Sequence, residues 1–324
     1  MLWRTDPTGW HQRRFACIVL LLALGACSSL QPAGSLPAER NLPGYAAPSS
    51  KKVPRVALVL SGGSARGFAH LGVLRVLERE GLRPDLVVGT SAGAIAGGLY
   101  ASGMSFEAID ALTQRLDWFT VFDIDPVRSL LGGLGLGLAQ GRRLELLLRE
   151  SLGASIEAFP IAFAAVATDL NSGETVVLNH GDPALAMRAS SAVPGMLEPV
   201  NVGGRLLGDG QIVSPMPVAV ARQLGASVVI AVDVVYPPKD SALTNPVSVL
   251  FQAVLISSYR HLLNERSQAD LVLSPKIESA RQLGFSDREW LIKSGSAAAE
   301  AALPQLKAAF AVKESSDRNG PASD

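Results

Sequence analysis

The apolar positions of this chain fall in short, nearly unbroken blocks separated by longer mixed stretches. Val56-Ala57-Leu58-Val59-Leu60, Leu86-Val87-Val88, Ile161 to Thr168, Val228 to Val235 and Leu271-Val272-Leu273 are runs of strand length. Continuous apolar runs of this length, rather than alternating ones, mark strands covered on both faces. Between the blocks the period becomes helical. From Gly67 to Gly81, Leu71, Leu74 and Leu77 share one face, while Arg75, Glu78 and Arg79 occupy another, so a helix is expected there. Beyond the turn residues Asn171-Ser172-Gly173, the run Glu174 to Leu178 reads as a hairpin partner of the strand before it. Strands alternating with helices predict an α/β fold with a mostly parallel central sheet flanked by helices.

The amino terminus has a different pattern. Arg4, Arg13 and Arg14 precede the apolar run Phe15 to Leu24, which is too short for an ordinary membrane span and reads as a secretory leader over residues 1–26. The run ends in Leu24-Gly25-Ala26-Cys27, which resembles a bacterial lipobox. That resemblance implies a lipid-modified Cys27 as the first mature residue. With Ser28 rather than aspartate following, it also implies anchoring in the cell envelope at the outer membrane, facing the periplasm. Residues 27–53, rich in Ser, Pro, Gly and Ala, then read as a flexible tether. A globular domain is expected over 54–312 and a frayed polar tail over 313–324.

Composition narrows the classes further. Among 324 residues, 48% are hydrophobic and the formal net charge is zero, which suits one large domain and gives no electrostatic reason for nucleic-acid binding. Removal of Cys17 with the leader and lipidation of Cys27 would leave no disulfide. Two cysteines and the absence of an H-E-x-x-H sequence argue for no metal and no cofactor.

The candidate chemistry sits at two glycine-rich strand-to-helix turns. Gly89-Thr90-Ser91-Ala92-Gly93 follows one apolar block and precedes a small-residue helix from Ala92 to Tyr100. This G-x-S-x-G pattern is that of a nucleophile elbow, in which flanking glycines allow a strained serine to project its hydroxyl. An inert tight turn has the same local pattern. The first turn, Gly62-Gly63-Ser64-Ala65-Arg66-Gly67, lacks the spacing of a dinucleotide or P-loop fingerprint. Its successive amides instead suit an oxyanion nest, with Arg66 bracing the loop or adding positive charge. Of the four histidines, His11 lies in the leader, His70 follows the glycine loop and His180 falls in a turn. Only His261 comes late enough for the serine-acid-histidine order of an α/β-hydrolase. The other base candidate is Asp209, flanked by Gly208 and Gly210 at the end of a hairpin-like strand.

In their order these motifs resemble the patatin-like phospholipase family, whose members carry a G-G-G-x-[RK]-G loop, a G-x-S-x-G elbow and a later D-G-[GA]. The resemblance extends over roughly Pro54 to Asp233 and includes Ala167-Thr168-Asp169 and Arg188 to Pro194. It implies a lipid acyl hydrolase with Ser91 as nucleophile and Asp209 as the base of a dyad. Gly62, Gly63, Ser64 and Arg66 would form the oxyanion hole, and the substrate would be phospholipid or another acyl ester. Two residues depart from the pattern: Ser64 replaces the third glycine, and Gln211 replaces the small residue after Asp209-Gly210. Leu130 to Leu138, with four glycines among its leucines, suits either a mobile lid or a packed loop. The alternatives are an α/β-hydrolase-type esterase using His261 and a catalytically silent envelope lipoprotein that binds lipid or a partner.

Overall fold

The computed structural model describes residues 56–124, 136–238, 246–277 and 285–318. The leader, Cys27, the tether and most of the glycine-leucine stretch lie outside them. Contacts divide the chain into Met1–Ala38 and Glu39–Asp324, and every described residue belongs to the second unit.

In chain order, β1 (Val56–Leu60) leads through a 3₁₀ turn, Ser64–Gly67, into α1 (Phe68–Arg79), and β2 (Leu86–Thr90) leads into α2 (Ala92–Ala101). There follow α3 (Phe106–Gln114), α4 (Trp118–Val121), β3 (Gly137–Ala139), α5 (Arg142–Ser151), β4 (Ala162–Asp169) and β5 (Thr175–Leu178). Next come α6 (Pro183–Ser190), β6 (Gly195–Leu197), β7 (Val200–Val202), β8 (Arg205–Asp209), α7 (Val218–Gln223) and β9 (Val228–Val232). The chain closes with α8 (Pro246–Ser267), β10 (Leu271–Leu273), α9 (Arg288–Ala301) and α10 (Leu303–Arg318).

The main sheet runs β10-β9-β1-β2-β4-β8-β7, with β5 also on β4. Strands β10, β9, β1, β2 and β4 are mutually parallel, as the unbroken apolar runs predict. Alternate residues feed two cores. Leu58, Leu60, Val87 and Val232 pack among the helices on one face. Val59, Val88, Val166 and Ala231 pack with Val218, Leu224 and Leu262 on the other. On the first face, α1 and α9 approach at paired glycines: a Cβ on Gly72 would lie 1.9 Å from the Ile292 carbonyl oxygen, and one on Gly295 would lie 1.9 Å from that of Ala69. Ser296 donates its hydroxyl to the Gly72 carbonyl at 3.1 Å across the same contact. The spacing leaves no room for a side chain, since interiors are close-packed.

The register of β4 positions the chemistry. Residues Ala165 and Val166 pair with both β2 and β5, so those strands take opposite edges. Ala167 and Thr168 pair with both β5 and β8, so β8 lies on the same edge as β2. Antiparallel β8 therefore meets the C-terminal end of β2: Val166 faces Thr90, and the next residue, Ala167, faces Asp209. The strand pairing thus brings Asp209 beside the residue before Ser91.

Three boundaries differ from expectation. The run Val228 to Val235 leaves the sheet at Val232, because Val234 donates its N–H to the Ser61 hydroxyl and Val235 to the Asp233 carboxylate. Side chains thus take the amides that a longer strand would have used in the ladder. The last helix continues to Arg318, past the expected boundary at 312, since no Gly or Pro intervenes before Gly320. Of the glycine-leucine stretch, Gly137–Ala139 is a short strand paired with β6. Among the described residues, no helix is long and apolar enough to cross a membrane.

Candidate active site

Ser91 stands between β2 and α2 with φ 54° and ψ −122°, a conformation that L-residues reach only under strain. The flanking glycines permit it. A Cβ on Gly89 would lie 2.4 Å from the Gly93 carbonyl oxygen, and one on Gly93 would lie 2.2 Å from that of Leu60. The turn is held from below by α6, where Ser190 accepts the Ser91 N–H at 2.9 Å and donates to the Val166 carbonyl at 2.6 Å.

The Ser91 hydroxyl donates to Asp209 Oδ2 at 2.7 Å, and the Gln211 N–H donates to Oδ1 at 2.8 Å. Both side chains are buried, with Asp209 only 2% exposed. Burial raises the Asp209 pKa to about 6, against the opposing pull of the Gln211 and Ser91 hydrogen bonds. A carboxylate in such surroundings is a stronger base than one in water. Its strand is fixed by the Asp209 N–H to the Ala192 carbonyl and by the Thr168 hydroxyl to the Asp209 carbonyl.

The glycine loop contributes less than its four sequence candidates. Gly62 gives its N–H to the Pro215 carbonyl at 2.9 Å, so it anchors the loop and is not an oxyanion donor. Arg66 is buried, with its guanidinium 5.4 Å from the Tyr236 ring centroid, and desolvation lowers its pKa. It braces the loop. The amides of Gly63 and Ser64 give no hydrogen bond to another described residue and lie in the cavity walls beside Ser91. Ser64 has φ 53°, the left-handed region, which explains why glycine suits this position; serine holds it at a cost on the order of 1 kcal/mol. His70 is wholly buried, its pKa is depressed to about 4, and its neutral ring donates Nε2–H to the Ser61 carbonyl at 2.8 Å.

His261 lies exposed on α8, and the Ser91 hydroxyl is committed to Asp209. The geometry therefore joins Ser91 to the aspartate and not to the histidine. Sequence reasoning missed Ser190, Thr168 and a buried carboxylate, Glu265. Glu265 accepts the Ser214 hydroxyl and, at 3.0 Å, the Met216 N–H. It holds the loop whose Ser214 and Pro215 carbonyls take the Thr90 hydroxyl and the Gly62 N–H. Burial raises its pKa to about 7.

Two cavities meet at Ser91. One is walled by Phe68, Leu71, Ile95, Phe122, Leu144 and Leu197 and is almost entirely apolar. The other includes Asp209, Gln211, Tyr236 and Phe251. No group of three or more metal-ligating side chains occurs among the described residues.

A mostly parallel sheet covered on both faces, with a strained serine between strand and helix bonded to a buried aspartate, defines an α/β fold of the nucleophile-elbow type. The patatin-like phospholipase family profile matches residues 58–222, just over half of the sequence, and the chain belongs to that family. An uncharacterized NTE family protein of Mycobacterium bovis is 39% identical over 184 residues, spanning 55% of this chain and 49% of that protein. Lysophospholipase NTE1 of Debaryomyces hansenii is 33% identical over 187 residues, spanning 55% of this chain and 12% of that protein. The chain thus spans about half the length of the first relative and a small part of the second. Among solved structures, VipD from Legionella pneumophila superposes with a TM-score of 0.49 at 15% identity, covering 87% of this chain and 73% of that one.

Proposed function

We propose that this chain is a lipid acyl hydrolase using a Ser91–Asp209 dyad. The observation that carries the reading is the 2.7 Å hydrogen bond from Ser91, which lines an apolar cavity, to a buried Asp209. The acyl chain of an ester enters that cavity, and its carbonyl carbon rests against Ser91. Asp209 takes the hydroxyl proton as the Ser91 oxygen bonds to the carbonyl carbon, and the Gly63 and Ser64 amides receive the oxyanion. The ester C–O bond then breaks, and the alcohol leaves with the proton from Asp209. Water gives a proton to Asp209 and attacks the acyl-enzyme. The fatty acid departs, and the proton returns to Ser91.

The family assignment supports a phospholipid or related acyl ester as substrate, and the name of the Debaryomyces relative agrees with it. The test is fatty-acid release from phospholipid vesicles and from soluble short-chain esters. Release from both is expected. A folded protein that releases none from either would instead be a lipid-binding or partner-binding member of the family.

The lipobox-like residues motivate a further part of the proposal: attachment to the envelope membrane through acylated Cys27, facing the periplasm. Two or more acyl chains anchor far more firmly than one. Radiolabelled palmitate is expected in the wild type and not in Cys27→Ala; equal labelling of both would remove Cys27 as the site.

A further inference from the structure

Gln211 departs from the small residue usual at its position, and its two halves do different things. Its N–H holds Asp209 Oδ1 at 2.8 Å, a task that any residue but proline could perform. Its side chain extends back over the glycine loop, so that a Cβ on Gly62 would lie 1.9 Å from Gln211 Oε1 and 3.5 Å from Ser91 Cβ. The carboxamide is half-buried and makes no hydrogen bond to another described residue. A partly buried carboxamide presents one acceptor and two donors to whatever enters beside it.

The chemistry proposed above decides what that is, and the inference rests on that reading. Asp209 must hand its proton to the leaving oxygen, so the alcohol half of the ester lies in the cavity that Asp209 lines. That cavity is also the one lined by Gln211 and Tyr236. The apolar cavity on the other side of Ser91, walled by Phe68, Leu71 and Leu144, takes the acyl half. From this division we infer that Gln211 is a specificity residue that hydrogen-bonds polar atoms of the leaving alcohol. It favours acyl esters of glycerol-type polyols over esters of alcohols with no hydrogen-bonding group. A neutral carboxamide, with both donors and an acceptor, matches hydroxyl and ester oxygens better than a fixed charge. A site that hydrogen-bonds a substrate hydroxyl discriminates against analogues lacking it, because its own polar group is then left unpaired.

The test compares two soluble esters with the same acyl chain, monooctanoylglycerol and ethyl octanoate, using wild type, Gln211→Ala and Gln211→Gly. Both variants keep the N–H that holds Asp209. Expected is a fall of about 10-fold in kcat/KM on the glycerol ester, the size of one ordinary hydrogen bond, with the ethyl ester changed less than about 2-fold, under what even a weak hydrogen bond contributes. Equal losses on both esters would show that Gln211 acts through the turn that holds Asp209. No loss on either would show that its side chain meets no substrate. Both outcomes overturn the inference while leaving the hydrolase reading in place. A wild type that cleaves neither ester overturns the inference, and the hydrolase reading falls with it only if phospholipid vesicles also yield no fatty acid.

Discussion

Ser91→Ala is expected to lose at least ~10³-fold in fatty-acid release while keeping the fold, because the nucleophilic oxygen is gone and nothing nearby replaces it. Ser190 and Ser191, although buried close by, are engaged: Ser190 bridges the Ser91 N–H and the Val166 carbonyl, and Ser191 donates to the Met187 carbonyl at 2.8 Å. The elbow itself needs no serine. Its φ of 54° is set by the backbone around Gly89 and Gly93, and alanine meets the same strain as serine there. The main change is that Asp209 Oδ2 loses its donor, a cost of about 1–3 kcal/mol if water does not fill the gap. Release is measured on a soluble ester, with circular dichroism to check folding. Intact-mass labelling by an alkyl fluorophosphonate supplies an independent readout of the nucleophile. A variant that retains activity within about 10-fold of wild type, or takes up the label as readily, would exclude Ser91 as nucleophile.

The parts of this molecule visible in its sequence are those in which local spacing dictates geometry. Val56 to Leu60 and Leu86 to Val88 are strands because each is an apolar block bounded by turns, and the glycines after them allow only a tight entry into a helix. The elbow was legible because Gly89 and Gly93 stand two residues either side of Ser91, where close backbone approach is required. What lay hidden depends on pairings distant in sequence. That Asp209 faces Ala167, one step beyond the Val166–Thr90 pair, is a register between strands about forty residues apart. Glu265 reaches Ser214 across 51 positions from the last turn of α8, where a buried carboxylate looks like any other polar residue. Gly62 was misassigned for a related reason: the sequence displays its amide, but not the Pro215 carbonyl that occupies it. The glycine loop could be read as a nest, yet which amides remain open is settled by a segment more than 150 residues away.

Asp209→Asn should separate function from stability. The wild-type carboxylate must be ionised to accept the Ser91 proton, and its pKa stands at about 6. kcat/KM is therefore expected to climb as pH rises through about 6 and to level off above it. Asparagine has one acceptor. With its oxygen toward the Gln211 N–H, its amide nitrogen faces Ser91 and donates where the carboxylate accepted, so no base remains. A loss of at least ~10²-fold is expected, at the lower end of general acid–base contributions, and the limb near pH 6 should disappear. Stability changes in the opposite direction. The unfolded carboxyl titrates near its ordinary value of about 3.9, below the folded value, so the folded state holds the proton more tightly. Stability from this group is thus full below about pH 4 and is lost as pH rises toward 6, above which a buried charge must be carried. The two-unit difference corresponds to at most about 3 kcal/mol. Asparagine removes that burden, so the variant should melt above wild type at pH 8, with the gap closing toward pH 4. Thermal melts across that range provide the check. A variant less stable than wild type at pH 8 would mean that the hydrogen bonds from Ser91 and Gln211 outweigh the desolvation of the carboxylate, in which case Asp209 would titrate below 6 and the activity limb would shift to lower pH with it.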